Sequence, residues 1–222
     1  AYLVLAEPRG FHRRDTLCAL FWPEADDEHA RASLRQALTR IRHSTGDAVI
    51  ETRGNEEVGV ASAAVACDAL ALREAAVAGE HARVVELYRG PLLPGFHADD
   101  AHDFDGWMDM ERDRLRALAW DSAMALARQH LAHGSVHDAE QAARRAVEID
   151  LSDEVAVREL MEGLAAAGDT VGALHLYDHW ARALDRELGL DPSGEMRATA
   201  QGIRNSLVRH REGRAPDLDQ EV

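Results

Sequence analysis

The 222-residue chain contains no lysine; all 25 of its basic residues are arginine. A phosphate-loop nucleotide site, which needs a lysine, is thereby excluded. Cysteine is scarce: Cys18 and Cys67 are the only two, too few for a disulfide framework and in keeping with a reducing cytosol. Aromatic residues make up 5% of the chain. No run of about 18 apolar residues occurs, so no transmembrane helix is expected. The opening AYLVLAEPRG lacks a methionine and a basic region ahead of a cleavage site, so it is not a signal peptide. It reads instead as the tail of a helix, and the chain is expected to begin inside a domain. Enzyme signatures are missing too: there is no glycine-rich dinucleotide loop after a strand, no GxSxG and no HExxH. The expectation is a protein that is not an enzyme and uses no cofactor.

Positive charge is also short. Forty acidic residues against 25 arginines leave a formal net charge of −15. The deficit is uneven: residues 1–60 carry a net −2 and residues 61–222 a net −13. The second part would be repelled by nucleic acid over its whole surface, so any DNA binding belongs to the first 60 residues.

Against that background one window stands apart. Arg31–Gly46, RASLRQALTRIRHSTG, carries Arg31, Arg35, Arg40, Arg42 and His43 and no acid. It has helical periodicity, with Ala30, Leu34, Ala37, Leu38 and Ile41 within about 100° of arc. Roughly opposite lie Gln36, Thr39, Arg40 and His43, with Arg35 on the shoulder. One face packs; the other offers forked donors and small polar groups, the division a recognition helix in a DNA major groove needs.

The flanking order supports that reading over a merely solvated helix face. A helix ends at Tyr2–Leu5, broken by Pro8 and Gly10. Arg13–Trp22 is expected as a short helix with Leu17, Leu20 and Phe21 inward. The acidic connector Glu24–Glu28 leads into the basic helix, expected over 27–44 and stopped by Gly46. Ala48–Arg53, Gly54-Asn55 and Glu56–Val60 follow as strand, turn, strand. Two helices and a terminal hairpin make a winged helix-turn-helix.

Beyond residue 66 the chain is helical, with helices expected near 68–78, 80–89, 101–133, 136–149, 153–167, 170–187 and 193–210. A Gly- and Pro-rich loop spans 89–100, and residues 212–222 read as a disordered tail or linker. Gly134 and Gly168 are 34 residues apart, as are Ala139 and Ala173. That is the tetratricopeptide period, and Ala75–Tyr88 repeats the turn chemistry around Gly79. The fold class expected is mainly α: a partial winged helix-turn-helix (1–62) followed by an all-α tetratricopeptide-like domain (63–211).

His130, His133 and His137 tempt a zinc reading but lack a fourth ligand, and they read as surface histidines. His97 and His102 beside Asp99, Asp100 and Asp103 read the same way, so no metal is expected. Trp107, Trp120, Tyr177 and Trp180 read as packing residues.

The run FHRRDTLCALFWPEADDEHARASLRQALTRIR, the hairpin, CDALALREAAVAG, LYRGPLLPGF and WMDMERDRLRALA together resemble SARP-type (AfsR/DnrI/RedD-like) bacterial transcriptional regulators. The resemblance spans about residues 1–205. It implies an OmpR/PhoB-type winged helix joined to a bacterial transcriptional activator domain. It implies Arg13–Trp22 as positioning helix and 27–44 as recognition helix, with Arg35, Gln36, Thr39 and Arg40 facing the groove. Arg31, Arg42 and His43 are expected on phosphates, and Arg53, where the wing begins, on phosphate or the minor groove. The partners implied are double-stranded promoter DNA, RNA polymerase subunits and a second copy of the chain, in the cytoplasm and without a membrane. Two departures stand out: the family's N-terminal four-stranded sheet and most of its first helix are absent, and Glu56-Glu57 occupies the wing.

Overall fold

The computed structural model describes residues 1–61, 63–98 and 100–212. The chain is mainly α, with ten helices and one three-stranded sheet among the described residues. It divides into two compact units, Ala1–Ala117 and Leu118–Val222.

In the first unit, α1 (Tyr2–Leu5) is a single turn, β1 (His12–Arg13) a two-residue strand and α2 (Arg14–Phe21) a short helix. α3 (Asp27–Thr45) is the basic helix. Its start is set by Asp26, whose Oδ1 accepts from the His29 backbone N–H at 3.0 Å, with Asp27 and Glu28 at the positive end of the dipole. The cap holds the Asp26 carboxyl below the usual carboxylate range, chiefly through that backbone N–H and then through the His29 ring. Gly46 ends the helix at φ +95°, where a side chain would be strained.

Residues 48 and 49, expected to begin the first hairpin strand, instead lie in a 3-10 turn, Asp47–Val49. The strand proper is β2 (Ile50–Arg53), paired antiparallel with β3 (Glu57–Val60) from Ile50↔Val60 to Arg53↔Glu57. Glu56 belongs to the turn between them, not to the second strand. A strand that sequence reasoning did not anticipate, β1, pairs with the other edge of β3, so the order is β1-β3-β2. Arg13, expected to open the first helix, is part of it. The close approach depends on Gly59, where a Cβ would lie 2.8 Å from the Gly10 carbonyl oxygen.

Leu17 and Cys18 of α2, Ala30, Leu34 and Leu38 of α3, and Val49, Ile50 and Val58 form one buried cluster. Burial pushes the Cys18 thiol up. Ile41, expected inward, is 37% exposed, because the core ends one turn earlier at Leu38. Leu20 and Phe21 are only half-buried, and they pack against a second cluster of Ala101, Phe104 and Met108. Tyr2 and Phe21 touch both clusters.

The first unit continues through α4 (Asp68–Val77), α5 (His81–Leu87) and the opening turns of α6 (His102–Ala132). Arg73 of α4 is buried; it donates to the Leu5 carbonyl at 2.8 Å, pairs with Glu7 and lies 3.7 Å from Glu111. Arg112 ties down the preceding loop by donating to the Leu92, Leu93 and Phe96 carbonyls.

The second unit holds the rest of α6, then α7 (Val136–Ile149), α8 (Glu154–Ala166), α9 (Thr170–Leu188) and α10 (Gly194–Glu212). α9 packs on α7, α8 and α10. The two glycines 34 residues apart make the same turn: Gly134 donates to Leu131 O and Ser135 to His130 O, as Gly168 does to Ala165 O and Asp169 to Leu164 O. Gly79 in the first unit shares the pattern, with Glu80 donating to Ala75 O. All three glycines have positive φ, the left-handed close of a helix. Ala139 and Ala173 are both buried. Trp180 is buried and donates to the Leu151 carbonyl at 3.0 Å.

Leu38→Ala is expected to cost about 2–5 kcal/mol in urea denaturation, against less than about 1 kcal/mol for Ile41→Ala. Equal losses would mean that α3 is rotated from the packing described. The Asp26 carboxyl is lowered in the folded state. Its stabilising effect is therefore fully present above the ordinary carboxylate range and fades as pH falls through the lowered value. Asp26→Ala should speed amide exchange in the first turn of α3 at neutral pH, and the difference from the unaltered chain should shrink in acid.

Candidate nucleic-acid interface

Because Ala30, Leu34 and Leu38 are held in the core, the opposite side of α3 is turned outward. Arg35, Gln36, Thr39 and Arg40 are all exposed and, with Ala32, line one shallow depression. The Thr39 hydroxyl donates to the Arg35 carbonyl at 2.9 Å, which leaves its oxygen free to accept. Ser44 and Thr45 spend their hydroxyls the same way on Arg40 and Ile41 carbonyls. Among the described residues no carboxylate comes within ion-pairing distance of Arg35, Arg40 or Arg42. Their guanidinium donors remain available for planar recognition of base edges or phosphates.

The other expected contacts divide. Arg42 is half-buried and, with Arg14, Arg31 and Asn55, lines a neighbouring cleft that Arg35 and Thr39 also border. Arg31 is clipped to Asp15, with an Nη2 to Oδ1 distance of 2.9 Å. That hydrogen bond raises the Arg31 guanidinium above its ordinary value. His43 is exposed in the last turn of α3, where a cation favours the helix dipole. Arg53 stacks its guanidinium 3.9 Å from the centre of the Phe11 ring and shares a small depression with Arg13, Glu56 and Glu57. The predicted residues of α3 other than His43 thus line two adjoining depressions with Arg35 and Thr39 common to both, and Arg53 lies at the hairpin.

Arg14 and Asn55 were not anticipated. They reach the same cleft as Arg42 because the Arg14 N–H donates to the Glu56 carbonyl at 2.8 Å, closing the hairpin turn onto the start of α2. The only local signal was the Arg13-Arg14 pair at the head of a helix.

Among the described residues there is no group of three or more His, Cys, Asp or Glu able to hold a metal. His133 bonds to the Gln129 carbonyl at 2.7 Å and His137 to Gln141 at 2.7 Å. The cluster that included Asp99 falls partly outside the described residues. No described helix is long and apolar enough to cross a membrane.

No curated protein matches the chain. The family profile described as "Bacterial transcriptional activator domain" matches residues 55–204, from the hairpin turn through most of α10. That span covers more than half the sequence, and the chain belongs to the bacterial transcriptional activator domain family.

Proposed function

We propose that the chain is part of a DNA-binding transcriptional regulator, an activator, in which residues 1–62 are the C-terminal part of an OmpR/PhoB-type winged helix-turn-helix and 63–211 the tetratricopeptide-like activator domain. α2 is the positioning helix, α3 the recognition helix and β2–β3 the wing. The observation that carries this reading is α3 itself: three arginines without carboxylate partners beside Gln36 and Thr39, in a chain of net charge −15. Arg35 and Arg40 suit the paired acceptors of guanine, and Gln36 suits adenine. Arg42 and His43 suit phosphates, which fix register and carry no sequence information. Arg31, paired with Asp15 through Nη2, has its charge offset and suits a phosphate less well than Arg42 does.

The acidic helical remainder disfavours non-specific contact with DNA and leaves binding to one basic helix. It is the part that would pair with a second copy or meet RNA polymerase subunits. A dimer would read two half-sites about one helical turn apart.

A second reading, a protein-interaction module with a vestigial winged helix, draws on the wing. Glu56 and Glu57 lie at the β2–β3 turn and Arg53 is occupied by Phe11, so the hairpin offers little to a phosphate.

The test is binding of the chain, with its natural flanking sequence, to DNA from its own upstream region across a salt series. Binding should weaken as salt rises, by about 0.9 in the log–log slope per phosphate contact. Arg35→Ala should cost about 1–3 kcal/mol on the preferred site and relax preference at one base pair. Arg35→Ala/Arg40→Ala should abolish specific binding while the helical signal in circular dichroism is kept. Absence of binding there and in a random-sequence selection would favour the interaction module.

A further inference from the structure

Arg14, the first residue of α2, has an unusual setting. Its Nε is shut off from solvent and has no acceptor among the described residues. The side chain lines a cleft of about 580 Å³ enclosed by the start of α2, one flank of α3 and the β2–β3 turn. Four guanidinium groups border it, those of Arg14, Arg31, Arg35 and Arg42, against two carboxylates, Asp15 and Glu56.

Asp15 is already engaged, and Glu56 lies at the limit of ion-pairing distance from Arg13. Asp15 holds Arg31 at 2.9 Å and Arg13 at 3.7 Å, and Glu56 lies 4.0 Å from Arg13. No described carboxylate comes within ion-pairing distance of Arg14, Arg35 or Arg42. Three uncompensated guanidinium groups around one concavity, partly floored by Leu34 and Leu38, fit an oxyanion with several acceptor atoms. A carboxylate offers two such atoms; a phosphate offers more, spread tetrahedrally.

We propose that this cleft is a phosphate-binding site in which Arg14 and Arg42 receive a phosphodiester of the DNA backbone, while Arg35, on the border shared with the neighbouring depression, is left to the base edge. The proposal rests on the regulator reading. Its source is argued from position: Arg35 and Thr39 line both this cleft and the depression that holds Gln36 and Arg40. A phosphate in the cleft and a base edge over the depression are then neighbours on one helix, as a strand crossing α3 requires. A free phosphate or a nucleotide would use the same donors, and the experiment separates the two sources.

The test uses the full chain as wild type, Arg14→Gln and Arg14→Lys, on DNA selected by the wild type and on single-base variants of it. Arg14→Gln should weaken binding about tenfold on every sequence alike and reduce the salt slope by about 1. Arg14→Lys should restore the slope but not the full affinity, since it keeps the charge and loses the fork. An Arg14→Gln protein with unchanged affinity and slope, or with altered preference at one base pair, would overturn the site.

If the wild type binds no DNA, the regulator reading fails and inorganic phosphate decides the site separately. Phosphate-induced shifts of the arginine Nε–H signals in wild type, absent from Arg14→Gln, would keep the cleft as a site for free phosphate. No shift would overturn it. Should Arg14→Gln not fold, Arg42→Gln, whose guanidinium lines the same cleft, carries the same test.

Discussion

The rotation of α3 about its own axis decides everything proposed for this chain, and burial sets it. Ala30, Leu34 and Leu38 pack against Leu17 and Cys18 of α2 and Val58 of the sheet. Each fully buried leucine side chain contributes about 1.5–3 kcal/mol, more than any single surface charge pair. No arrangement of exposed arginines can therefore turn the helix; the arginines go where the leucines leave them. Beyond Leu38 the core stops, and every residue from Thr39 to Ala48 is exposed except the half-buried Arg42. These last turns of α3 carry four of the eight candidate contacts, Thr39, Arg40, Arg42 and His43.

Electrostatics refine what packing allows. The acids that precede α3 are used at its N-terminus, by Asp26 as cap and by Asp27 and Glu28 in the first turn. Asp15 pairs with one exposed arginine, Arg31, and offsets its charge. The unit that carries α3 extends to Ala117, so it includes residues 55–117 of the family match. Tyr2 and Phe21 join the α3 core to the Ala101–Phe104–Met108 cluster, and Tyr2 and Phe104 each meet the Trp107 ring. Buried Arg73 adds a polar tie from α4 to the end of α1. The family match begins at residue 55, and apolar contacts join residues before position 62, where a boundary was expected, to residues after it.

Features written in local periodicity were legible in the residues. The bounds of α3, its inward leucines and its stop at Gly46 follow from spacing and one glycine. The turns at Gly134 and Gly168 follow from the 34-residue offset and adopt matching hydrogen bonds. What escaped was long-range. β1 is a strand only because β3 runs beside it, and two residues, His12 and Arg13, carry no period. Ile41 fits the inward arc, but periodicity cannot tell where the core ends. The Arg31–Asp15 pair spans 16 residues, and the Arg14 cleft needs the hairpin turn to return to α2. A charge count over Arg31–Gly46 contains neither fact.

The most direct measurement is the change in backbone amide NMR signals of the chain when its selected DNA duplex is added. The account predicts shifts concentrated in Arg31–His43, Arg13–Asp15 and the β2–β3 turn, with α7–α10 left unmoved. Shifts concentrated in α7–α10, or none in α3 under conditions of saturating binding, would contradict it.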